Sequence, residues 1–405
     1  LYLVDAPGAF QRPGNPYQGP DGRDWGDNAD RYALFCRAIV ELAMGRAGLD
    51  WRPRLVHAND WQTGLAAPLL TLEDDRPATL FTIHNLAYQG LFDQASFERL
   101  ALPPQLWSLH GLEFYDMLSY LKGGIAFSDL VTTVSPTYAE EIQTPEFGCG
   151  LDALLRRRRK DLYGVLNGMD YDIWNPETDL HIPANFSHRN LDGKSVNKEA
   201  LQRAFGLPVD PEVPLVAMVS RLADQKGFGE LCGPTHGSLF SICDDFKLQF
   251  VILGTGEAWC EEELAVLDEK LPNLSVALEF NDPLAHLIEA GADFFLMPSV
   301  YEPCGLSQMY SLRYGTLPIV RRTGGLADTV ENYDQESGEG TGFVFDLLTP
   351  RALYDTVGWA VWAWYNQPEH ILAMRRRAMQ KRFSWERSAQ RYLELYRLAA
   401  KKRSD

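Results

Sequence analysis

The sequence YEPCGLSQMYSLRYGTLPIVRRTGG, residues 301–325, is the part of the chain that indicates its fold most clearly. The apolar run 294–297 precedes it and predicts a buried strand, which a loop with Glu302 and Cys304 follows. A helix is expected over 307–314 and a second strand over 317–320. This strand–loop–helix–strand order is typical of a parallel α/β sheet, in which ligands bind beyond the carboxyl ends of the strands.

The loop between this strand and this helix also suggests a kind of ligand. A helix that begins near Gly305 would point free N–H groups and the positive end of its dipole at the loop, which suits a phosphate. The carboxylate of Glu302 could hold sugar hydroxyl groups. The two features together suggest a sugar nucleotide, but an ordinary βαβ turn with a surface glutamate explains the same residues equally well.

Composition limits the classes of protein that remain. A length of 405 residues predicts two domains. The formal net charge of −17 argues against nucleic acid or an anionic membrane as a partner, because both need a basic surface. The six cysteines have no CxxC or zinc spacing, which fits a reducing compartment, and no apolar run reaches the ~20 residues of a membrane helix. We therefore expect a cytoplasmic protein.

Strands and helices alternate along most of the chain, which predicts parallel sheets covered on both faces. The first domain is expected to span 1–165 and the second 166–381, with the helix of 382–405 packing back onto the first. The polar segment 174–193 is interpreted as an interdomain linker. Besides the two strands already named, strands are predicted at 1–4, 55–57, 79–83, 130–134, 163–166, 215–219, 250–253 and 276–280.

Polar residues follow several of these strands, where parallel strands would bring them to one edge. Arg221 and Lys226 could neutralise a diphosphate, although two surface cations would look the same in the sequence. In the first domain Asp60 and His84 both follow strands and would face one crevice, but a structural hydrogen-bonding role for the histidine is the alternative. The amide of Asn167 could bond a sugar hydroxyl group. Thr323, Gly324 and Gly325 would let backbone approach a ligand, as would any tight turn.

Longer blocks of sequence resemble one family. The chain is similar to bacterial glycogen synthases and plant starch synthases, which are retaining glycosyltransferases with the GT-B fold of two Rossmann-like domains. The resemblance runs in the same order through most of the chain. Its main blocks are PYQGPDGRDWGDNADRY (16–32), HANDWQTGL (57–65), TIHNLAYQG (82–90), HGLEFYDMLSYLKGG (110–124), TVSPTYAEEI (133–142), YGVLNGMD (163–170), VSRLADQKG (219–227) and EPCGLSQMYSLRYGTLPIVRRTGGLADTV (302–330).

The resemblance implies an α/β protein that transfers glucose from ADP-glucose to the non-reducing end of glycogen or another α-1,4-glucan. Configuration at the anomeric carbon would be retained, without a metal ion or other cofactor. No carboxylate stands out as a covalent nucleophile, so we expect a front-face route in which the departing phosphate helps to deprotonate the acceptor.

The same resemblance implies roles for individual residues. Arg221 and Lys226 would hold the diphosphate, and Glu302 would bind the glucosyl hydroxyl groups. Asp60 and His84 would orient the glucose from the opposite domain. Asn167 would orient the glucose from that opposite domain as well. Phe280 would contact the adenine, and Tyr17 and Trp61 would contact the acceptor. The other implied donor contacts are Cys304, Gly305, Leu306, Thr323, Gly324 and Gly325.

The chain also departs from the family pattern. Family members begin with a strand and a Lys-Thr-Gly-Gly-Leu loop that contacts donor and acceptor, and neither precedes Leu1. We therefore expect the first domain to be incomplete and its sheet to expose an unpaired edge. Phe280 falls where a phenol is expected to stack on adenine, and 229–237, with Pro234, is poor for the helix expected after Lys226.

Two other functions stay open at this point. A GT-B protein that binds glucan but has lost catalysis would carry the same blocks of sequence. A related enzyme that uses UDP-glucose would also fit, because no residue reads the base unambiguously.

Overall fold

The computed structural model describes residues 2–233 and 237–404. Contacts within the chain divide it into two compact units. Unit 1 comprises Leu1–Val165 and Ala389–Asp405, and unit 2 comprises Leu166–Ser388. Both units have parallel sheets with helices between the strands, as the alternating pattern predicts.

The strands of unit 1 are β1 Leu55–Asn59, β2 Ala78–Ile83, β3 Leu91–Phe92, β4 Glu113–Phe114, β5 Met117–Ser119, β6 Leu130–Thr133 and β7 Leu162–Gly164. Four of them form a parallel sheet with the order β1-β2-β6-β7, and a small antiparallel sheet has the order β3-β5-β4. Every residue of β2 and β6 is buried, as expected for continuous apolar or Thr-rich runs in a parallel sheet. The helices are α1 Pro7–Phe10, α2 Asn28–Ala43, α3 Ala66–Leu70, α4 Gln94–Arg99, α5 Tyr120–Phe127, α6 Pro136–Glu141 and α7 Asp152–Arg157, with 3-10 turns at Trp61–Thr63 and Pro104–Leu106.

Unit 2 contains a six-stranded sheet in which every neighbouring pair is parallel. The strands are β8 Leu215–Val219, β9 Gln249–Leu253, β10 Leu274–Ala277, β11 Phe294–Met297, β12 Leu317–Arg321 and β13 Phe343–Phe345. The helices are α8 Asp192–Ala204, α9 Phe228–Cys232, α10 Leu239–Asp245, α11 Ala258–Lys270, α12 Asp282–Gly291, α13 Ser307–Tyr314, α14 Gly324–Thr329, α15 Pro350–Asn366 and α16 Pro368–Gln380, with a 3-10 turn at Asp224–Lys226.

The strand order of unit 2 is β10-β9-β8-β11-β12-β13. From β8 the chain adds β9 and then β10 on one side. It then crosses to the other side of β8, where it adds β11, β12 and β13 in turn. This is the doubly wound order of a Rossmann fold, and its topological switch point lies between β8 and β11. Ligands of such sheets bind in the crevice that opens there, at the carboxyl ends of the two strands.

The last helix, α17 Trp385–Ser404, belongs to unit 1 from Ala389 onward, whereas the predicted boundary lies at 382. Leu395 and Ala399 are fully buried against a cluster that contains Leu130 and Val165. Tyr396 adds a hydrogen bond between its hydroxyl group and Nδ1 of His57, 2.9 Å apart. The apolar residues of this helix thus pack against the sheet of unit 1.

Several local predictions are wrong. Tyr2–Val4 is exposed and not in a strand, and Leu1 lies outside the described residues. The strand predicted at 276–280 is β10, which ends at Ala277. A short helix, α9, does form from Phe228 to Cys232 and covers the start of the segment 229–237, while Pro234 lies outside the described residues.

The interpretation of 174–193 as a linker is also wrong, because this segment is built into unit 2. Ile182 and Phe186 are buried in an apolar cluster with Tyr314. The carboxylate of Asp179 is buried as well and bonds His286 of α12. A polar sequence without regular structure here forms part of the packed interior.

The structure also bears on membranes and disulfides. Within 2–233 and 237–404, no helix combines the length and the apolar character that crossing a membrane requires. All six cysteines lie in the described part of the chain and are free thiols.

A buried ion cluster joins the helices of unit 2 to the start of β11. The carboxylate of Asp293 is 2% exposed, accepts the N–H of Leu215 at 2.9 Å and pairs with Lys198 at 2.7 Å and with Arg375. Burial opposes the charge on Asp293, but the two cations and the hydrogen bonds outweigh it, so its pKa is lowered. The cluster therefore stabilises the fold at pH values above the ordinary pKa of an aspartate, and that stability is lost as the pH falls through the lowered pKa.

We predict that Asp293→Asn lowers the free energy of unfolding by about 3–5 kcal/mol, because it leaves two buried cations without their counter-charge. Denaturant unfolding monitored by circular dichroism measures the change. The matched control is Asp355→Asn, which removes an exposed i,i+4 pair with Arg351 and should cost at most about 0.5 kcal/mol. Equal midpoints for the two variants would contradict the prediction.

Candidate active site

A cavity of about 260 Å³ opens at the switch point of the unit 2 sheet. Its walls are the carboxyl ends of β8 and β11 and the first residue of α13, which is the place where the strand order predicts a ligand. Both cations proposed from the sequence reach it. The lining residues are Met218, Val219, Ser220, Arg221, Lys226, Leu296, Met297, Ser299 and Ser307.

Lys226 and Glu302 form an ion pair at this cavity. Nζ of Lys226 lies 2.6 Å from Oε2 of Glu302, and the glutamate side chain is only 8% exposed. Ser299 donates a second hydrogen bond to the same oxygen at 3.0 Å. An ammonium group has three N–H donors, so Lys226 can keep this bond and also donate to a phosphate oxygen.

Arg221 is exposed at the mouth of the same cavity and donates to Oε1 of Gln225 at 3.3 Å. The side-chain amide of Gln225 donates to the backbone carbonyl of Tyr301. The backbone carbonyl of Gln225 accepts the N–H of Val300 at 2.9 Å. The loop after β8 is therefore bonded to the loop after β11. These bonds hold the segment that carries both predicted cations against the loop of Glu302.

Helix α13 begins beside the cavity, as the sequence predicts. Its N-cap residue, Leu306, makes no side-chain cap, so the first N–H groups and the dipole of the helix face the loop and suit an anion. Gly305 just before it has φ +68°, a conformation that favours glycine. A Cβ there would lie 2.3 Å from the side chain of Gln308, which is buried and donates to the carbonyls of Cys304 and Gly305.

The turn at 323–325 packs directly on the loop of Glu302. Gly324 has φ +43°, and a Cβ at this position would lie 2.0 Å from the carbonyl oxygen of Glu302. A Cβ on Gly325 would lie 1.9 Å from the carbonyl oxygen of Cys304. Thr323 is fully buried beside them. The two glycines are thus required by close backbone packing, whatever else they contact.

Cys304 and Asn167 lie together in unit 2. Burial raises the pKa of the Cys304 thiol to about 12, although a hydrogen bond from the backbone N–H of Asn167 acts in the opposite direction. The thiol is therefore protonated at neutral pH and is not a nucleophile. Asn167 belongs to the same unit as Glu302, and not to the unit of Asp60 and His84 with which the sequence grouped it.

Two predicted donor contacts are on the surface of unit 2. Phe280 lies three residues beyond β10 and its side chain is 92% exposed. Leu306, which precedes α13, is 38% exposed. Both are free to contact a ligand from outside.

In unit 1, Asp60 and His84 lie together at the carboxyl ends of β1 and β2. Oδ1 of Asp60 accepts the backbone N–H of His84 at 2.8 Å, and the imidazole Nε2 lies 3.0 Å from Oδ1 of Asn59. Burial raises the pKa of Asp60 despite the opposing influence of His84. The backbone of Asp60 has φ 57°, and a non-glycine residue in such a strained conformation is often found at a functional site.

The two predicted acceptor residues are also neighbours within unit 1. The rings of Tyr17 and Trp61 lie 6.0 Å apart, and the Tyr17 hydroxyl accepts a hydrogen bond from Gln62 at 2.8 Å. Tyr17 is 41% exposed, whereas Trp61 packs on Tyr32 and on Gly90, whose missing side chain makes room for the indole.

Sequence reasoning missed several residues of these sites, namely Ser299, Gln225 and Gln308. Each is polar and follows or precedes a glycine- or proline-containing turn at a strand end, which is the signal that could have identified it. It also missed a cavity of about 430 Å³ in unit 1, lined by Leu109, His110, Glu113, Phe114, Tyr115, Lys122, Gly150, Leu151, Ala153, Leu154 and Arg157.

Groups that could hold a metal ion lie elsewhere. Among the residues that the structure describes, one group of three such side chains is found, His181, Asp282 and His286. None of the three lines the cavity at the switch point.

Two family models match the chain, one in each half. The model of the starch synthase catalytic domain matches residues 1–157. The model of group 1 glycosyl transferases matches residues 201–367.

Whole-chain relatives agree with both models. Glycogen synthase from Treponema denticola is 50% identical over 409 residues, which cover 100% of this chain and 82% of the relative. Glycogen synthase 1 from Methylococcus capsulatus is 51% identical, with 98% of this chain and 80% of the relative covered. The chain belongs to the glycogen synthase family.

Solved structures place the fold of this family member among known glycosyltransferases. The catalytic domain of starch synthase IV from Arabidopsis thaliana, bound to ADP and acarbose, matches with a TM-score of 0.84 and 33% identity, covering 95% of this chain and 81% of that one. Sucrose-phosphate synthase from Thermosynechococcus elongatus matches with a TM-score of 0.58 and 19% identity over 96% and 82% of the two chains, a likeness of fold alone.

These matches confirm the predicted family, the α/β fold with two Rossmann-like domains and the class of hexosyltransferase. They do not favour the two alternatives, an inactive glucan-binding protein or a UDP-glucose enzyme. The roles of the individual site residues stay predictions.

The ion pair at the cavity leads to a prediction for Lys226. In Lys226→Ala, kcat/KM for the nucleotide sugar should fall by about 100-fold to 1,000-fold, because one preorganised positive group at the leaving phosphate is lost. Steady-state assays of nucleoside diphosphate release measure this change.

The control for this prediction is Lys381→Ala, which removes a surface lysine paired with Glu331 in the same unit. Lys226→Ala also leaves Glu302 without its ion-pair partner, which could destabilise the protein. Thermal unfolding of both variants therefore tests whether a loss of activity is a loss of folded protein. An unaltered rate in folded Lys226→Ala would refute the role of this residue.

Proposed function

We propose that the chain transfers α-glucose from ADP-glucose to the 4-hydroxyl group at a non-reducing end of an α-1,4-glucan such as glycogen, with retention of configuration. The observation that carries this proposal is the cavity at the switch point of unit 2, where Arg221, Lys226 and the N terminus of α13 meet Glu302. The relative from Arabidopsis thaliana, described as bound to ADP and acarbose, supports an adenine nucleotide as donor and a glucan as acceptor.

The diphosphate is the leaving group in this reaction. As the bond between C1 of glucose and the phosphate oxygen breaks, negative charge builds up on that phosphate. Arg221 can bind phosphate oxygens in pairs, and Lys226 adds a point charge that Glu302 already orients. Positive groups fixed before the reaction stabilise this charge without having to reorganise.

The glucosyl group needs partners that hold its hydroxyl groups. Glu302 is a hydrogen-bond acceptor for them, and the close packing of Gly324 on its carbonyl oxygen holds its backbone in place. Within unit 1, we assign Asp60 and His84 to sugar binding, because Asp60 holds the backbone of His84 where two strands end.

The acceptor hydroxyl group then forms the new bond to C1. Its proton passes to the departing phosphate on the same face of the sugar, so the products are ADP and a glucan longer by one glucose. Cys304 is protonated and therefore does not compete as a nucleophile. No step of this route requires a metal ion or another cofactor.

The state of the cysteines bears on where the protein acts. Free thiols persist in a reducing compartment, and all six cysteines of this chain are free. This supports the cytoplasm as the place where the reaction occurs.

The decisive experiment follows ADP release by protein expressed from its full open reading frame and supplied with ADP-glucose and glycogen. Release should depend on glycogen and should fall at least 100-fold in Arg221→Ala and Glu302→Ala, since each removes a charged group at the cavity. Arg351→Ala, which alters an exposed arginine of the same unit, is the matched control.

Each alternative function has its own outcome in this assay. Faster turnover of UDP-glucose than of ADP-glucose would overturn the proposed donor. The protein could also bind glycogen but release no more nucleoside diphosphate than Arg221→Ala and Glu302→Ala do, with either nucleotide sugar. This result would contradict the enzymatic function and indicate a glucan-binding protein.

The aromatic pair of unit 1 leads to a separate prediction for the acceptor. Tyr17→Ala should raise KM for glycogen about twofold to twelvefold, because an aromatic contact contributes about 0.5–1.5 kcal/mol. KM for ADP-glucose should stay unchanged. Tyr354→Ala, which alters a tyrosine of α15 that bonds Asp245, is the control. An equal rise of both KM values in Tyr17→Ala would contradict an acceptor role.

A further inference from the structure

Three side chains with metal-binding atoms converge where the segment 174–193 meets helix α12. One nitrogen of His181, one nitrogen of His286 and one carboxylate oxygen of Asp282 all lie within 4.8 Å of one another. We propose that His181, Asp282 and His286 bind a Zn²⁺ ion that joins this segment to α12. The site belongs to unit 2 and goes beyond the proposed reaction.

His286 is the observation that points most directly to a ligand. Its side chain is 1% exposed, and its Nε2 atom is buried without a hydrogen-bond partner among the described residues. A buried polar atom with no partner has lost its hydration without compensation, which destabilises the fold. A metal ion bound to Nε2 would remove this penalty.

Asp179 determines which nitrogen of His286 carries the proton. Its Oδ2 atom lies 2.7 Å from Nδ1 of His286 and also accepts the hydroxyl group of Tyr314. Its Oδ1 atom accepts the backbone N–H of His181, so both oxygens of Asp179 act as acceptors. His286 therefore donates to Asp179 from Nδ1, and Nε2 presents its lone pair.

The same carboxylate positions a second ligand. Oδ1 of Asp179 accepts the backbone N–H of His181 at 2.8 Å, so one buried residue holds both histidines. A carboxylate that bonds the second nitrogen of a metal-bound histidine is a regular feature of metal sites, where it fixes the ring and strengthens the ligand.

The third ligand comes from the first turn of α12. Asp282 and His286 are four residues apart and therefore share a face of the helix. The N-cap of the helix is Asn281, whose side chain accepts the N–H of Leu284 at 3.0 Å, so the cap does not require the Asp282 carboxylate. Asp282 and His181 are exposed, so an ion can reach the site from solvent. Ligand atoms of tetrahedral Zn²⁺ lie about 3.4 Å apart, a spacing within the 4.8 Å limit on the distances between these three groups.

The donor set selects the metal. Two imidazole nitrogens and one carboxylate oxygen suit Zn²⁺, with water as the fourth ligand. Mg²⁺ and Ca²⁺ prefer oxygen ligands and should bind far more weakly.

The expected consequence is a more stable unit 2. The His286 ring stacks on Trp174 with centroids 3.8 Å apart, and Trp174 stacks on Tyr310 of α13 at 4.1 Å. An ion that fixes His286 therefore stabilises a column of rings that ends on the helix beside the cavity. Trp174 also serves as a fluorescent reporter of binding.

The test is titration of the EDTA-treated chain with ZnCl₂ by isothermal titration calorimetry. Cys149→Ser is the background, because Cys149 is the exposed cysteine and could bind zinc by itself. We expect one Zn²⁺ per chain, a change of Trp fluorescence at the same stoichiometry, a higher Tm with Zn²⁺, and no comparable effect of MgCl₂.

His181→Ala and Asp282→Asn alter exposed residues and should each weaken Zn²⁺ binding at least tenfold. His188→Ala, a histidine of the same segment outside the group, is the matched control and should bind like the parent. The proposal is overturned if the parent binds no Zn²⁺, or if affinity is the same in the parent, His181→Ala and Asp282→Asn. It is also overturned if His188→Ala loses as much affinity as they do.

Discussion

The parallel pairing of β8 with β11 is the constraint on which the organisation of unit 2 depends. Phe294 of β11 pairs with Val216, although the two are far apart in sequence, and the chain places β9 and β10 on one side of this pair and β12 and β13 on the other. Connections between parallel strands are right-handed, so helices that leave the pair in opposite directions lie on opposite faces of the sheet. The carboxyl ends of the pair are left uncovered, and a cavity opens there.

The chemistry of unit 2 is concentrated around that opening. Lys226 follows β8 and Glu302 follows β11, so the ion pair between them spans the switch point. The buried carboxylate of Asp293 holds the opposite end of the same strands, through its hydrogen bond to Leu215 and its two cations. One end of the central pair is thus closed by a satisfied ion cluster, while the other keeps charged groups accessible to a ligand.

Much of the fold could be predicted from the sequence, because strands that are buried on both faces are continuous apolar runs. β8, β11 and α13 have the predicted bounds, and β12 agrees to within one residue. The failures have physical causes as well. The segment 174–193 is polar and irregular, and nothing local shows that Asp179 is buried against a histidine 107 residues away. β13 is three residues long, too short for a pattern of its own.

The sequence by itself determined the family and the alternation of strands and helices, and it identified Lys226 and Glu302 as candidate site residues. It could do so because strand-end motifs and apolar runs are local. Only the tertiary structure decided that these two side chains, 76 residues apart, form one ion pair, and that Asp179 orients His286. The physical reason is that such contacts depend on the order of strands in the sheet and on which polar groups become buried. Neither property is encoded within any short stretch of the chain.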